Sequence, residues 1–342
     1  MSDRSIISRV VDTLCVGGLS ILLIGAFLLL DVKQTGPLLF GNFVILTTLI
    51  NAPHFIASYR LLYASKEMVE DYRWASIYLP LLLLLYSLFA LFIALGPASN
   101  AQYINIFLLV MGYYLAVHYT GQTWGMMASF AYLDGLKFTE RERTTFRAIL
   151  KVLMGWQLVW FSMTISDRFP SLAATLPTVK SVVDVAAIAA AILGFVLFGL
   201  ITKRTGKFPP VRVLIPYVAI CFWYLLLNKY PNTLFWVQLS HALQYLIFPL
   251  RVEMNRLHDD ETAVNLIKPM MLYYGLMVLV GYIVFFGVED VLVALDSKLG
   301  IIAVMLTAVV NIHHYFIDGC VWKISNPRVR KDLFMHLNAH HA

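Results

Sequence analysis

Long apolar runs constrain this chain more than any other feature of its sequence. The stretches from Val10 to Leu30 and from Ala75 to Leu95 each reach the roughly 20 residues that an α-helix needs to cross a hydrocarbon core. Hydrophobic residues make up 60% of the 342 residues, charged residues make up only 13%, and the mean hydropathy is +0.74. This composition excludes an ordinary water-soluble domain and predicts an all-α integral membrane protein.

Ten membrane-spanning helices are predicted along the chain. They are placed near residues 10–30, 37–62, 75–95, 104–132, 149–165, 182–201, 213–227, 234–250, 267–286 and 299–321. The loops between them are short, and the sequence shows neither low-complexity tracts nor repeats of fixed period. We therefore expect a single transmembrane domain over residues 1–342, with the function inside the membrane part or at its rim.

Lysine and arginine are distributed unevenly between the two sides of this predicted topology. Nineteen of them fall in segments on the side of the N-terminus, and five fall on the opposite side. Positive residues accumulate in short cytoplasmic loops, so this imbalance predicts that both termini are cytoplasmic. The expected location is an inner membrane of the bacterial type.

Histidines inside the predicted spans are the main functional signal. His54, His118, His241, His313 and His314 lie on four helices that all run inward from the outside in the predicted topology. Ionisable side chains at membrane depth are costly, so they usually mark a functional interior site. At ~1.5 Å per residue, three of them, His54, His118 and His314, lie about 26, 21 and 22 Å from their helix starts, and His241 lies about 10 Å from its own. Five histidines on four helices, three of them at similar depth, predict a metal site.

Polar residues one helical turn from these histidines strengthen the prediction. Gln122, Tyr245 and Asp318 each follow a histidine by four residues, and residues four apart share a helix face. These three are the candidate catalytic residues. Asp318 is expected to bind the metal or to orient an imidazole. Pro53, which precedes His54, is expected to kink its helix and to free a backbone carbonyl.

Several metals suit a site that is rich in imidazole. Such sites favour Fe, Zn or Cu over Mg or Ca. Four or five histidines with one aspartate are compatible with one iron, with two irons or with zinc, and the sequence leaves this choice open. His313 and His314 point about 100° apart around their helix, so which of the two binds metal also stays open.

Three short motifs resemble those of a known enzyme family. APHFIASYR around His54, HYTGQTWG around His118 and LFWVQLSHALQYL around His241 are similar, in the same order, to the histidine motifs of the Brp/Blh proteins. Those proteins are bacterial membrane-embedded dioxygenases that cleave β-carotene. The resemblance implies a helical membrane enzyme that binds non-haem iron through these three histidines and adds dioxygen to a long apolar polyene. The chain departs from the family at Tyr245, where the family has a second histidine.

These observations predict a membrane oxygenase with a non-haem iron centre. Its expected ligands are His54, His118, His241 and His314, with Asp318 in support. The expected partners are a lipophilic small molecule, dioxygen, membrane lipids and an electron donor that the sequence does not identify; no nucleic acid is expected. Two alternatives stay open: a ceramidase-like intramembrane zinc hydrolase, and a transporter in which histidine and aspartate relay protons.

Overall fold

Helices make up all of the regular structure in the part of the chain that the structure describes. The computed structural model describes residues 4–30, 41, 43–97, 99–259, 266–322 and 326–338. The main helices are α1 Arg9–Leu29, α2 Ala52–Tyr63, α3 Trp74–Leu95, α4 Gln102–Leu133, α5 Glu140–Thr164, α6 Leu176–Thr205, α7 Val211–Lys229, α8 Leu234–Asp259, α9 Ile267–Leu295, α10 Ser297–Val321 and α11 Pro327–Asn338. The predicted all-α class is confirmed.

Seven of these helices are long and apolar enough to cross a membrane, namely α1, α3, α4, α6, α7, α9 and α10. Among the described residues the number of candidate spans is therefore seven and not the predicted ten. The difference falls on the predicted spans 37–62, 149–165 and 234–250, which correspond to α2 with the turn before it, α5 and α8; residues 37–40 and 42 lie outside the described part. Seven such helices indicate an integral membrane protein. The cytoplasmic side of both termini stays a prediction.

Length excludes α2 from the seven, since it has only 12 residues, and polar side chains explain why α5 and α8 are not among them. The α5 helix begins with the charged stretch ERERTTFR, and α8 ends in RVEMNRLHD. The α2 helix contains His54 and Arg60, and α8 contains His241. A helix with such residues is costly to expose to lipid on every face. Both histidines are buried against protein, so these two helices present their polar faces to other parts of the chain.

The chain divides into two compact units, each assembled from separate stretches of sequence. The first unit consists of residues 3–41 and 112–244, and the second of residues 42–111 and 245–342. The first unit holds α1, α5, α6 and α7, and the second holds α2, α3, α9, α10 and α11. The boundary between residues 111 and 112 lies inside α4, and that between residues 244 and 245 lies inside α8. Each of these two helices therefore contributes residues to both units. The single transmembrane domain stays a prediction.

Aromatic side chains and a close helix contact define the core of the first unit. Trp223 and Tyr217 on α7 are completely buried. The Trp223 indole donates to the Ser20 hydroxyl at 2.7 Å, which joins α7 to α1. At Gly17 the backbone φ is 141°, and a Cβ there would lie 2.7 Å from the Cβ of Ala219. Only glycine fits this position, so α1 and α7 approach each other at backbone distance.

A buried arginine between two aspartates ties the beginning of the chain to the first unit. The Arg212 guanidinium on α7 bonds the Asp12 carboxylate at 3.0 Å and also bonds Asp134. Asp12 is completely buried and accepts further hydrogen bonds from the backbone N–H groups of Ile6 and Ile7, at 2.8 and 2.9 Å. A buried charge of this kind is tolerated because opposite charges and donors surround it.

Apolar packing joins three helices of the second unit. Leu83 on α3, Phe107 on α4 and Ile312 on α10 belong to one buried cluster. At Gly281 on α9 a Cβ would lie 2.7 Å from the Cβ of Ala52, so α9 and α2 are in close contact there. The second unit therefore holds α2, which carries His54, between tightly packed neighbours.

Candidate metal-binding histidines

Two histidines face each other in the first unit. His118 lies on α4 and His241 on α8, and their Nε2 atoms are 3.1 Å apart. The two rings are steeply inclined to each other, with an interplanar angle of 74°. His241 is only 3% exposed, and His118 is half-buried. The structure thus joins two of the predicted ligands within one unit.

Amide side chains hold this pair in place. The Gln122 side chain donates to the backbone oxygen of His241 at 3.0 Å and to the side-chain oxygen of Gln244 at 3.2 Å. Gln244 in turn donates to the backbone oxygen of Val16 at 2.8 Å. The Tyr119 ring lies 4.7 Å from the His241 ring. Gln122, a predicted catalytic residue, therefore fixes the backbone that carries His241.

The spacing of this pair suits a shared metal ion. Two nitrogen ligands about 2.0–2.1 Å from one ion lie about 2.9 Å apart at a right angle and about 3.4 Å apart at a tetrahedral angle. The observed 3.1 Å lies between these values. At the same distance one neutral imidazole can donate its N–H to the other. The distance thus fits a shared ion and also a direct N–H···N hydrogen bond.

A second histidine pair lies in the second unit. The rings of His54 on α2 and His314 on α10 are nearly perpendicular, and their centroids are 4.6 Å apart. Each offers a nitrogen within 4.8 Å of the other. His54 is 1% exposed and His314 is completely buried. Both predicted ligands are therefore in an environment from which water is largely excluded.

The hydrogen bonds of His314 determine its tautomer. Its Nδ1 lies 2.8 Å from the Ser58 hydroxyl, and that hydroxyl donates its hydrogen to the backbone oxygen of Phe55 at 2.7 Å. Since the hydroxyl has only one hydrogen, Nδ1 must be the donor to it, and we infer that Nε2 carries the lone pair. Nε2 lies 3.3 Å from a carboxylate oxygen of Asp318. A lone pair and a carboxylate at this distance repel each other unless a proton or a metal ion lies between them.

His54 is oriented in a similar way. Its Nδ1 bonds the backbone oxygen of Asn51, so Nδ1 donates and Nε2 carries the lone pair. Ligating histidines usually donate their other ring N–H to a carbonyl in this manner. One of the two predicted effects of Pro53, the freed carbonyl, is seen, because Pro53 cannot donate to Leu49, and the Leu49 carbonyl instead accepts from the Tyr274 hydroxyl at 2.6 Å. A π-helical turn, Thr47–Asn51, precedes α2 at this point.

The adjacent His313 has a different environment. Its Nδ1 lies 2.9 Å from the Tyr59 hydroxyl, and its Nε2 lies 2.7 Å from the backbone oxygen of Ala75. A carbonyl only accepts, so Nε2 donates to Ala75 and Nδ1 accepts from Tyr59. Both ring nitrogens are thus engaged in contacts that join α10 to α2 and α3.

Tyr245 lies beside the second pair. It is 1% exposed, and its ring centroid is 5.5 Å from that of His54 and 5.7 Å from that of His314. The centroid of the Trp322 ring lies 5.4 Å from that of Tyr245. Tyr245 therefore forms an aromatic wall beside both imidazoles.

Sequence reasoning missed the groups that orient the two imidazoles. Ser58 follows His54 by four residues, so the same helical spacing that selected Gln122 and Asp318 would have found it. The backbone oxygen of Asn51 carries no sequence signal of its own, because every residue has a carbonyl. Only the position of Pro53 indicated that the backbone near it is irregular.

These features define a class of protein, an all-α integral membrane protein with largely buried histidines that lie close enough together to hold a metal ion. Comparisons with protein-family models, with curated proteins and with solved structures find no match to this chain. The class therefore rests on the helices and on the geometry of the histidines.

Proposed function

We propose that the protein is a membrane-embedded oxygenase in which histidine-bound non-haem iron acts on a lipophilic substrate. The proposed ligands are His54 and His314 in the second unit and His118 and His241 in the first, with Asp318 in support. Iron, when bound, supplies the capacity to activate dioxygen, which the side chains of a protein lack.

The contact between His314 and Asp318 carries this proposal. The Ser58 hydroxyl directs the Nε2 lone pair of His314 toward a carboxylate oxygen 3.3 Å away. Two acceptors so close need a positive charge between them, and the distance equals that expected for two ligands of one ion, about 2.9–3.4 Å. A metal ion meets this need, and so does a proton, which is why metal content is the deciding measurement.

The donor chemistry favours iron over the hard cations. His314 lies near the imidazole of His54 and, at 3.3 Å, the carboxylate of Asp318, and imidazole and carboxylate are the donor types of many non-haem Fe(II) oxygenases. Magnesium and calcium prefer oxygen ligands. Both imidazoles donate Nδ1–H to a fixed acceptor, so their Nε2 atoms are preorganised as ligands.

The predicted catalytic residues take distinct roles in this proposal. Asp318 shares a positive charge with His314 and holds the imidazole in one orientation. Tyr245 excludes water from the side of the histidines that it covers. Gln122 is a positioning residue, because it touches the backbone of His241 and not its imidazole.

The lipophilic substrate follows from the apolar surroundings of the histidines and from the motifs that resemble the Brp/Blh proteins. A buried site in a membrane protein is reached most easily by molecules that already dissolve in the bilayer. We place the protein in the bacterial cytoplasmic membrane with both termini on the cytoplasmic side, on the basis of its loop charges.

The test is metal analysis of protein purified in detergent without metal-chelating tags. Wild type, His118→Ala, His314→Ala and His313→Ala are compared for Fe, Zn and Cu per chain, and oxygen consumption is recorded with lipophilic candidates. We expect one or two irons per chain in wild type, a loss of iron in His314→Ala, and a lower content in His118→Ala. His313→Ala is the matched control, because its neighbour His314 is intact and its own nitrogens bond Tyr59 and Ala75.

Other outcomes assign the protein differently. Zinc in place of iron, with no oxygen consumption, supports the intramembrane hydrolase. No metal in any preparation, together with proton uptake that depends on Asp318, supports the transporter. Equal iron in His314→Ala and His313→Ala overturns the proposed ligand set.

A further inference from the structure

A cavity of about 530 Å³ opens in the second unit between α2, α8 and α9. Its walls are largely apolar and aromatic, and they include Tyr59, Tyr63, Tyr273, Leu272, Leu276 and Val280. The volume lies in the range of pockets that bind small molecules. Leu272 and Leu276 are 73% and 55% exposed on α9, a candidate span, so the cavity is accessible from the apolar surface of this helix.

One ion pair interrupts the apolar lining. The Arg60 guanidinium bonds the Glu253 carboxylate at 2.6 Å, and both residues line the cavity. The Arg60 side chain is 45% exposed and that of Glu253 is 11% exposed. The guanidinium also lies over the Tyr273 ring, 5.0 Å from its centroid. The pair is neutral overall, and it presents a donor and an acceptor side by side.

The cavity is close to the second histidine pair. Tyr59, in its wall, bonds His313 through its hydroxyl. Tyr273, also in its wall, belongs to a buried cluster with Tyr245, whose ring contacts His54. Tyr59 alone thus lies between the cavity and His313, and Tyr273 followed by Tyr245 lies between the cavity and His54, all within one unit.

We infer that this cavity binds a neutral single-chain amphiphile, a long-chain alcohol or a compound with the same kind of head group; the inference rests on the proposed function and names its substrate class. The chain lies along the apolar wall, which replaces the lipid tails that surround it in the bilayer. The hydroxyl accepts from Arg60 and donates to Glu253. A pure hydrocarbon would displace water from the ion pair and offer it no hydrogen bond in return. A carboxylate would be repelled by the negative charge of Glu253.

The experiment uses a photoreactive diazirine analogue of oleyl alcohol with the full-length protein in detergent. Labelled peptides are mapped by mass spectrometry, and labelling is competed with oleyl alcohol, oleic acid or octadecene. We expect labelling of α9, and competition by oleyl alcohol about tenfold stronger than by the other two, since one or two hydrogen bonds in a largely apolar site distinguish them.

A matched pair of variants tests the position of the ligand. Leu276→Trp places a large ring at the cavity wall, and Leu279→Trp makes the same change one turn away on the same helix, at a residue equally exposed, 55% against 56%. Labelling should fall in Leu276→Trp and stay unchanged in Leu279→Trp. The double variant Arg60→Met with Glu253→Met should lose the preference for alcohol over octadecene.

Three results overturn this inference. The first is competition by octadecene as strong as that by oleyl alcohol, and the second is the same loss of labelling in Leu276→Trp and Leu279→Trp. The third is labelling of the cavity by a phospholipid photoprobe that oleyl alcohol does not displace, which would reflect ordinary contact with the bilayer. Metal content is measured on the same preparations. Labelling without bound metal therefore refutes the oxygenase and keeps the cavity assignment, whereas metal without selective labelling does the reverse.

Discussion

The two histidine pairs differ in the groups that surround them. In the first unit, His118 and His241 are held by the amides of Gln122 and Gln244. In the second unit, His314 contacts a hydroxyl and the carboxylate of Asp318. The first pair can satisfy itself through an N–H···N hydrogen bond, whereas the second contact needs an added positive charge. The difference teaches that burial of histidines alone does not require a metal, but a lone pair that faces a carboxylate requires a cation or a proton.

The largest expected effect comes from removing a ring of the second pair, compared with removing a ring of the first. We expect His54→Ala to lower iron affinity by more than about 100-fold, because it removes a ligand whose Nε2 is preorganised. His241→Ala should have a smaller effect, because the second unit keeps its own imidazoles and carboxylate. Competition with chelators of known affinity measures both. A larger loss in His241→Ala would reverse the comparison.

The carboxylate of the second unit is the next point to test. Asp318→Asn keeps the size of the side chain and removes its charge, so iron affinity should fall by about 10- to 100-fold. Asp290→Asn, an exposed position on α9 in the same unit, serves as the control and should leave affinity unchanged. The same chelator competition applies. If Asp318→Asn binds iron as wild type does, a proton and not a metal lies between Asp318 and His314.

The amide support of the first unit should affect stability more than metal binding. Gln122→Leu leaves the His241 carbonyl and the Gln244 side-chain oxygen without this donor, so we expect a loss of about 1–3 kcal/mol in the free energy of unfolding. Gln102→Leu changes an exposed glutamine at the start of the same helix and should have little effect. Thermal unfolding in detergent compares the two. A loss of metal larger than the loss of stability would place Gln122 closer to the chemistry.

The smallest effect is a pH dependence confined to the first unit. Burial raises the pKa of Glu142, but hydrogen bonds and charge from Arg204, with the Thr139 backbone N–H, lower it by more, so the pKa lies below its ordinary value. The carboxylate therefore contributes stability that is present above the pKa of the unfolded chain, about 4.3, and is lost as pH falls through the lower folded value. We expect about 1 kcal/mol.

Glu142→Gln should abolish this part of the pH dependence. Unfolding measured between neutral pH and about pH 3 tests it, since the carboxylate titrates in that interval. Wild type and variant should converge at the acid end, where wild type is also uncharged at this position. Parallel curves at all pH values would show that Glu142 does not titrate during unfolding.

The sequence predicted the kind of fold better than the number of spans. Runs such as Ala75 to Leu95 are recognisable because lipid selects apolar residues on every face. The helices that carry His54 and His241 are different, since their polar faces pack against protein. Hydropathy cannot tell a polar helix inside a bundle from one that lies outside the membrane. Ten predicted spans against seven candidates follows from this ambiguity.

The candidate site was predictable in its residues and not in its geometry. Helical spacing identified Asp318 as a neighbour of His314, and the structure places them 3.3 Å apart. The spacing could not distinguish His313 from His314. Their side chains point about 100° apart around the helix, and which of them faces the site depends on where the neighbouring helices pack. The contacts with Tyr59 and Ala75 give His313 its separate environment, and both come from distant parts of the sequence.

The buried ion pair of Asp12 and Arg212 joins two helices that a ribosome makes far apart in time. That carboxylate meets Arg212 only after 200 further residues have been synthesised, and residues 42–111, made in between, belong to the second unit. A carboxylate in a membrane helix is costly until its partner arrives. We therefore expect α1 to reach its final packing only once α7 is in place, and a chain truncated before Arg212 to leave the Asp12 carboxylate without this partner.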